Sequence, residues 1–98
     1  MRRWLPKVLK RLHEYAAAGQ IRLTFKAAQE TLLLGLSPED VRDVIEGLDA
    51  HSFADRLASK ATGEWMYVFK PDVGDQIIYL KLILRESCVV VSFHEDEG

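Results

Sequence analysis

Leu5, Val8, Leu9, Leu12 and Ala16 recur at helical spacing, with Lys7, Lys10, Arg11 and Glu14 on the other face. This pattern predicts an amphipathic helix over residues 5–17, ended by Gly19. Residues 20–23 (QIRL) read as a short strand. Thr24 then caps a second helix whose buried stripe is expected to be Phe25, Ala28, Leu32 and Leu33, stopped by Gly35. The run SPED is a helix start: Ser37 as N-cap, Pro38 in the first turn, and Glu39 and Asp40 next to the positive end of the dipole. The third helix turns Val41, Val44, Ile45 and Leu48 inward and Arg42, Asp43 and Glu46 outward.

After His51 the period falls from about 3.6 to about 2, which predicts strands at residues 53–60, 65–69, 77–85 and 89–94. The connections, Thr62-Gly63, residues 71–75 and Glu86-Ser87, are short enough for hairpins. The expected fold is therefore α+β: an antiparallel meander covered on one face by three helices, in a single domain spanning residues 1–98.

Alternation along IIYLKLILR assigns Ile78, Leu80, Leu82 and Leu84 to the core and Ile77, Tyr79, Lys81, Ile83 and Arg85 to the other face. The same rule groups Val89, Val91 and Phe93 against Val90, Ser92 and His94. If the apolar faces coincide, Tyr79, Lys81, Arg85, Ser92 and His94 share one side of the sheet. In the strand at 65–69 either Trp65 and Tyr67 or Met66 and Val68 face inward, and the pattern leaves both arrangements open.

Composition adds little to the fold but narrows the chemistry. The chain has 98 residues, 48% hydrophobic and 29% charged, with a net charge of -2. No apolar run approaches the ~20 residues that span a bilayer, so no membrane association and a cytoplasmic location are expected. The lone cysteine, Cys88, lies in an apolar run, which excludes an internal disulfide and a cysteine-built zinc site. Residues 1–26 carry Arg2, Arg3, Lys7, Lys10, Arg11, Arg22 and Lys26 against only Glu14. They offer phosphates a positive surface, or they are simply solvated faces. The terminal HEDEG lacks the paired spacing of a metal site and is expected to be a solvated tail.

Taken singly, Tyr79, Lys81, Arg85 and His94 each suit an ordinary outer face. Together they suit cleavage of RNA by its own 2'-hydroxyl. That reaction needs a group to take the hydroxyl proton, one to protonate the leaving 5'-oxygen, and cations for the charge building on phosphorus. Tyr79 and His94 are the catalytic candidates. Lys81 and Arg85 are candidate phosphate contacts, as are Arg56 and Lys60, which are four apart on one predicted strand; Tyr67 is a candidate for stacking a base. The chemistry calls for no metal and no cofactor.

The blocks AGQIRLTFKAA, LGLSPEDVRDVIEGL, GEWMYVFKP, IYLKLIL and VVVSFHEDE, in this order and at compatible spacing, resemble the MqsR family of toxins from type II toxin–antitoxin pairs. The likeness runs from about Ala18 to Glu95. It implies a RelE-like α+β fold, metal-independent cleavage of messenger RNA, and a cognate antitoxin that commonly carries a zinc-finger domain, so that any zinc belongs to the partner. Tyr79 takes the place of the family's active-site tyrosine. His94 follows VSF where the well-studied branch has a lysine, Met66 replaces a glutamine, and Asp55 stands where a lysine is expected, with Arg56 beside it as a substitute. An ordinary imidazole titrates near ~6.5 and a lysine near ~10.4, so the change at His94 does not by itself disable proton transfer. The alternative is a catalytically weak or inactive module of the same fold that binds RNA or the antitoxin.

Overall fold

The computed structural model describes residues 2–97. The helices are α1 (Leu5–Ala17), α2 (Phe25–Leu33) and α3 (Pro38–Glu46), and a 3-10 turn at Ala50–Ser52 precedes the main run of strands. The strands are β1 (Ile21–Leu23), β2 (Phe53–Ala58), β3 (Trp65–Phe69), β4 (Asp72–Val73), β5 (Gln76–Leu84) and β6 (Cys88–Glu95). The expected α+β class holds.

Local chemistry sets the helix ends. The Thr24 hydroxyl accepts from the Ala27 N–H at 3.1 Å. Ser37 and Asp40 form a reciprocal capping box, Asp40 N–H to Ser37 Oγ at 3.2 Å and Ser37 N–H to Asp40 Oδ2 at 2.8 Å. Gly19, just past α1, has φ 71°, a conformation that only glycine adopts without strain and that turns the chain straight into β1.

The sheet runs β1-β6-β5-β3-β2, with β4 paired off this path to β5. Strands β2, β3, β5 and β6 are the expected antiparallel meander. The sheet is nonetheless mixed, because β1 joins the outer edge of β6 in parallel, with Arg22 level with Val89. The core lies on one face, where Leu12, Ala16, Val41 and Ile45 pack on Phe69, Ile78, Leu80, Leu82, Val90 and Phe93. Cys88 is buried there, and burial pushes its thiol up to about 12. Among the described residues no helix is long and apolar enough to cross a membrane.

Two expectations about faces are corrected, and a further irregularity sets the faces of β2. In α2 the buried positions are Ala27 and Thr31, while Phe25, Leu32 and Leu33 stand 78%, 75% and 87% exposed. The small residues allow α2 to lie close along β6, beyond the point where β1 stops covering that edge. Thr24 donates to the Val90 carbonyl through its N–H (3.0 Å) and to that of Val91 through its hydroxyl (3.4 Å). In β6 the core residues are Cys88, Val90 and Phe93, not Val89, Val91 and Phe93. Lys81 pairs with Ser92 but Leu82 pairs with Val90, so Val91 is an extra, bulged residue and alternation breaks there. A second irregularity at Ala54 in β2, between Phe53 opposite Phe69 and Asp55 opposite Val68, puts Asp55 on the open face and Arg56 on the helix-covered one.

Candidate active site

The open face is assembled from β2, β3, β5 and β6. Side chains directly opposed in an antiparallel pair point the same way, so each register pair assigns two residues to a face. Tyr79 is opposite His94, and Lys81 is opposite both Ser92 and Val68. Met66 is opposite both Ile83 and Leu57, and Val68 is opposite Asp55. The face is therefore an apolar floor of Met66, Val68 and Ile83 with a polar end formed by Tyr79, Lys81, Ser92 and His94.

The rings of Tyr79 and His94 are stacked, with centroids 5.1 Å apart and planes 10° from parallel. His94 does not lie at a fraying end. Strand β6 runs on to Glu95, the Asp96 N–H donates to the Ile77 carbonyl at 2.8 Å, and the Asp96 carboxylate lies 3.5 Å from Lys70. The acidic tail is thus anchored at Asp96 and not wholly solvated as expected. His94 Nδ1 lies 2.9 Å from the Glu95 carbonyl. A carbonyl can only accept, so Nδ1 carries the proton and, in the neutral ring, the lone pair sits on Nε2.

Two residues of this corner were not picked out as site candidates from the sequence. Lys26 Nζ, from α2, is 3.0 Å from Ser92 Oγ and 3.0 Å from Glu30 Oε2. The other Glu30 oxygen accepts the Phe93 N–H at 3.0 Å, which satisfies a donor on the β6 edge that β1 does not reach. Burial raises the Glu30 carboxyl, but the Phe93 hydrogen bond, the Lys26 contact and the charges of Lys26 and His94 outweigh it and hold it below the usual range. The signals available were the place of Lys26 in the basic stretch of residues 1–26 and its four-residue spacing from Glu30, which suggests a helical ion pair without saying what it faces.

The other candidates lie elsewhere. Tyr67 is opposite Leu82 on the helix-covered face and packs on Trp4, with ring centroids 5.7 Å apart. Arg56 is on that same face, its guanidinium 4.2 Å from the Trp4 ring centre and 3.9 Å from that of Trp65. Cation–π stacking on two indoles makes Arg56 a clasp between the N-terminal segment and the β2–β3 hairpin. Strand β2 stops at Ala58, so Lys60 lies in the following turn and shares no strand face with Arg56. Arg85 grips Glu64 through Nε (2.9 Å) and Nη2 (2.6 Å), and its carbonyl accepts from the Tyr15 hydroxyl.

The fork-shaped contact with Arg85, followed by the Thr62 hydroxyl, lowers the Glu64 carboxyl from 4.5 to about 2. A depressed carboxylate contributes stability above its unfolded value, and that contribution is lost as pH falls from about 4.5 through about 2. Glu64→Gln is therefore expected to lower Tm at pH 7, where the contribution is fully present, and to flatten the decline of Tm between pH 5 and pH 2, where the wild type loses it. Thermal melts across that range in low salt check it, and an unchanged acid limb contradicts it.

Residues 6–95 match the model of the family described as "Motility quorum-sensing regulator, toxin of MqsA". The chain belongs to this family. It is similar to the mRNA interferase toxin MqsR of Escherichia coli (strain K12), with 28% identity over 88 residues covering 89% of this chain and 90% of that protein. The positions that the MqsR resemblance singles out, Asp55, Met66, Tyr79 and His94, all fall on the open face of the sheet although they come from four strands. Asp55 and Met66 bring neither a cation nor a strong donor to the polar corner, whereas Tyr79 and His94 do.

Proposed function

We propose that this chain is an mRNA-cleaving toxin whose Tyr79 and His94 cut RNA by attack of its 2'-hydroxyl, without a metal ion. The observation that carries the reading is the stacked Tyr79–His94 pair with Nε2 free for substrate, on a member of the MqsR toxin family. Nε2 takes the proton of the 2'-hydroxyl, the 2'-oxygen bonds to phosphorus, and the bond to the 5'-oxygen breaks. The Tyr79 hydroxyl gives its proton to that leaving oxygen, and solvent restores both residues. Lys81, beside Tyr79 on the same face, holds the phosphate as charge accumulates. The products carry a 2',3'-cyclic phosphate and a 5'-hydroxyl.

Arg56 and Tyr67, on the opposite face, take no part in the cut, and Arg85 acts mainly through Glu64. The partners are messenger RNA and a cognate antitoxin; the zinc-finger antitoxin common in the family and a cytoplasmic site of action are carried over from the resemblance. A second reading, a non-catalytic module that binds RNA or antitoxin, draws on Asp55 and Met66 occupying positions where the resembling branch has lysine and glutamine.

The test is incubation of the purified chain with a long RNA in excess chelator. New ends bearing cyclic phosphate are expected. No new ends with or without chelator favours the second reading, and cleavage that disappears with chelator contradicts the metal-free mechanism.

A further inference from the structure

We propose that Lys26 is a further phosphate-binding residue of this site, held in position over Ser92 by Glu30 and contacting a backbone phosphate next to the one that is cut. The inference rests on the RNA-cleaving reading and adds a contact that α2, not the sheet, supplies.

The geometry supports it in three steps. An ammonium has three N–H donors, and two of those on Lys26 are used, by Ser92 Oγ and Glu30 Oε2. The third is free for a ligand. Next, the partner charge does not cancel it outward: the Lys26 side chain is 61% exposed and that of Glu30 only 20%. One Glu30 oxygen faces the Phe93 N–H and the other faces Lys26, so approaching solvent or RNA meets the ammonium first. Finally, Lys26 stands in line with other cations. Ser92 is opposite Lys81, and Arg22 is level with Val89, with Ile21 and Leu23 on either side turned to the core. Lys81 lies within the face on β5, and Lys26 and Arg22 border it at the β6 edge, so a single strand of RNA held at Tyr79 and His94 and running along that edge passes them in turn. A surface ion pair kept only for stability would contribute little in this exposed setting.

The test uses the full chain with His94→Ala in the background, so that RNA is bound but not cut. Binding of a fluorescently labelled single-stranded RNA is followed by anisotropy from low to moderate salt. Each phosphate contact on a single strand contributes about 0.7 to the slope of log K against log salt. Lys26→Met is expected to reduce that slope by about 0.7, and Lys26→Arg to restore it. Arg42→Gln, which removes an equal charge from the exposed Arg42–Glu46 pair on α3, is expected to leave it unchanged. A Lys26→Met slope equal to that of the parent overturns this inference while leaving the nuclease reading standing. Failure of the wild-type chain to cleave RNA, and of the parent variant to bind it, overturns both.

Discussion

His94→Ala is expected to slow cleavage of a long RNA by about 10²–10⁴-fold, the usual contribution of one positioned proton-transfer group. The size of the effect follows from what the ring is fixed to do. Stacking on Tyr79 sets its plane, and the Glu95 carbonyl keeps the proton on Nδ1, so Nε2 is the atom that meets substrate. Alanine removes that lone pair and leaves the fold with little to lose, because His94 is half-buried and outside the core. The comparison is therefore made on single-turnover rates, with circular dichroism and a melting curve confirming an unchanged fold. A rate within a factor of about two of wild type contradicts the assignment of His94, since even a modest proton-transfer role exceeds that.

Phe69→Ala is expected to lower the stability of the domain by about 3–5 kcal/mol, enough to unfold much of a domain this small near its working temperature. Phe69 is fully buried, lies opposite Leu80 in the sheet, and meets the Phe53 ring edge-on at 5.5 Å. It ties β2, β3 and β5 together beneath the open face. Deleting the ring removes its transfer free energy and leaves a void that the surrounding Leu80 and Phe53 cannot close without shifting the strands. Urea unfolding gives the number, and a loss below about 1 kcal/mol contradicts the packing described.

The pleat made the chemistry of β5 legible. Ile78, Leu80 and Leu82 alternate without a break, so Tyr79 and Lys81 had to face the other way. On β6 the pattern read correctly only in its second half. An unbroken run of apolar residues, Cys88 to Val91, contains no polar marker of phase, and the bulge at Val91 inserts a half-period that alternation cannot foresee. Ser92 and His94 still join Tyr79 and Lys81 because the bulge precedes them. The irregularity at Ala54 hid in the same way that Asp55, not Arg56, belongs to the open face.

Helix α2 shows the limit of amphipathic reasoning. Its most apolar stripe faces solvent, because what it packs against is a strand edge that needs small residues for close approach and polar ones for its free donors. Ala27 and Thr31 meet the first need, Glu30 the second. Nothing in a helical period separates that demand from the usual apolar one. The parallel seating of β1 was also out of reach, since three residues pairing with a strand 67 positions later leave no local trace.

A double-mutant cycle on Tyr79→Phe and His94→Ala, read as single-turnover cleavage of one RNA, tests the shared site most directly. If the phenol and the imidazole act on one phosphate, the double variant loses far less than the product of the two single losses, as groups acting as a unit do. Single losses that multiply in full, as for residues working at separate places, contradict the account.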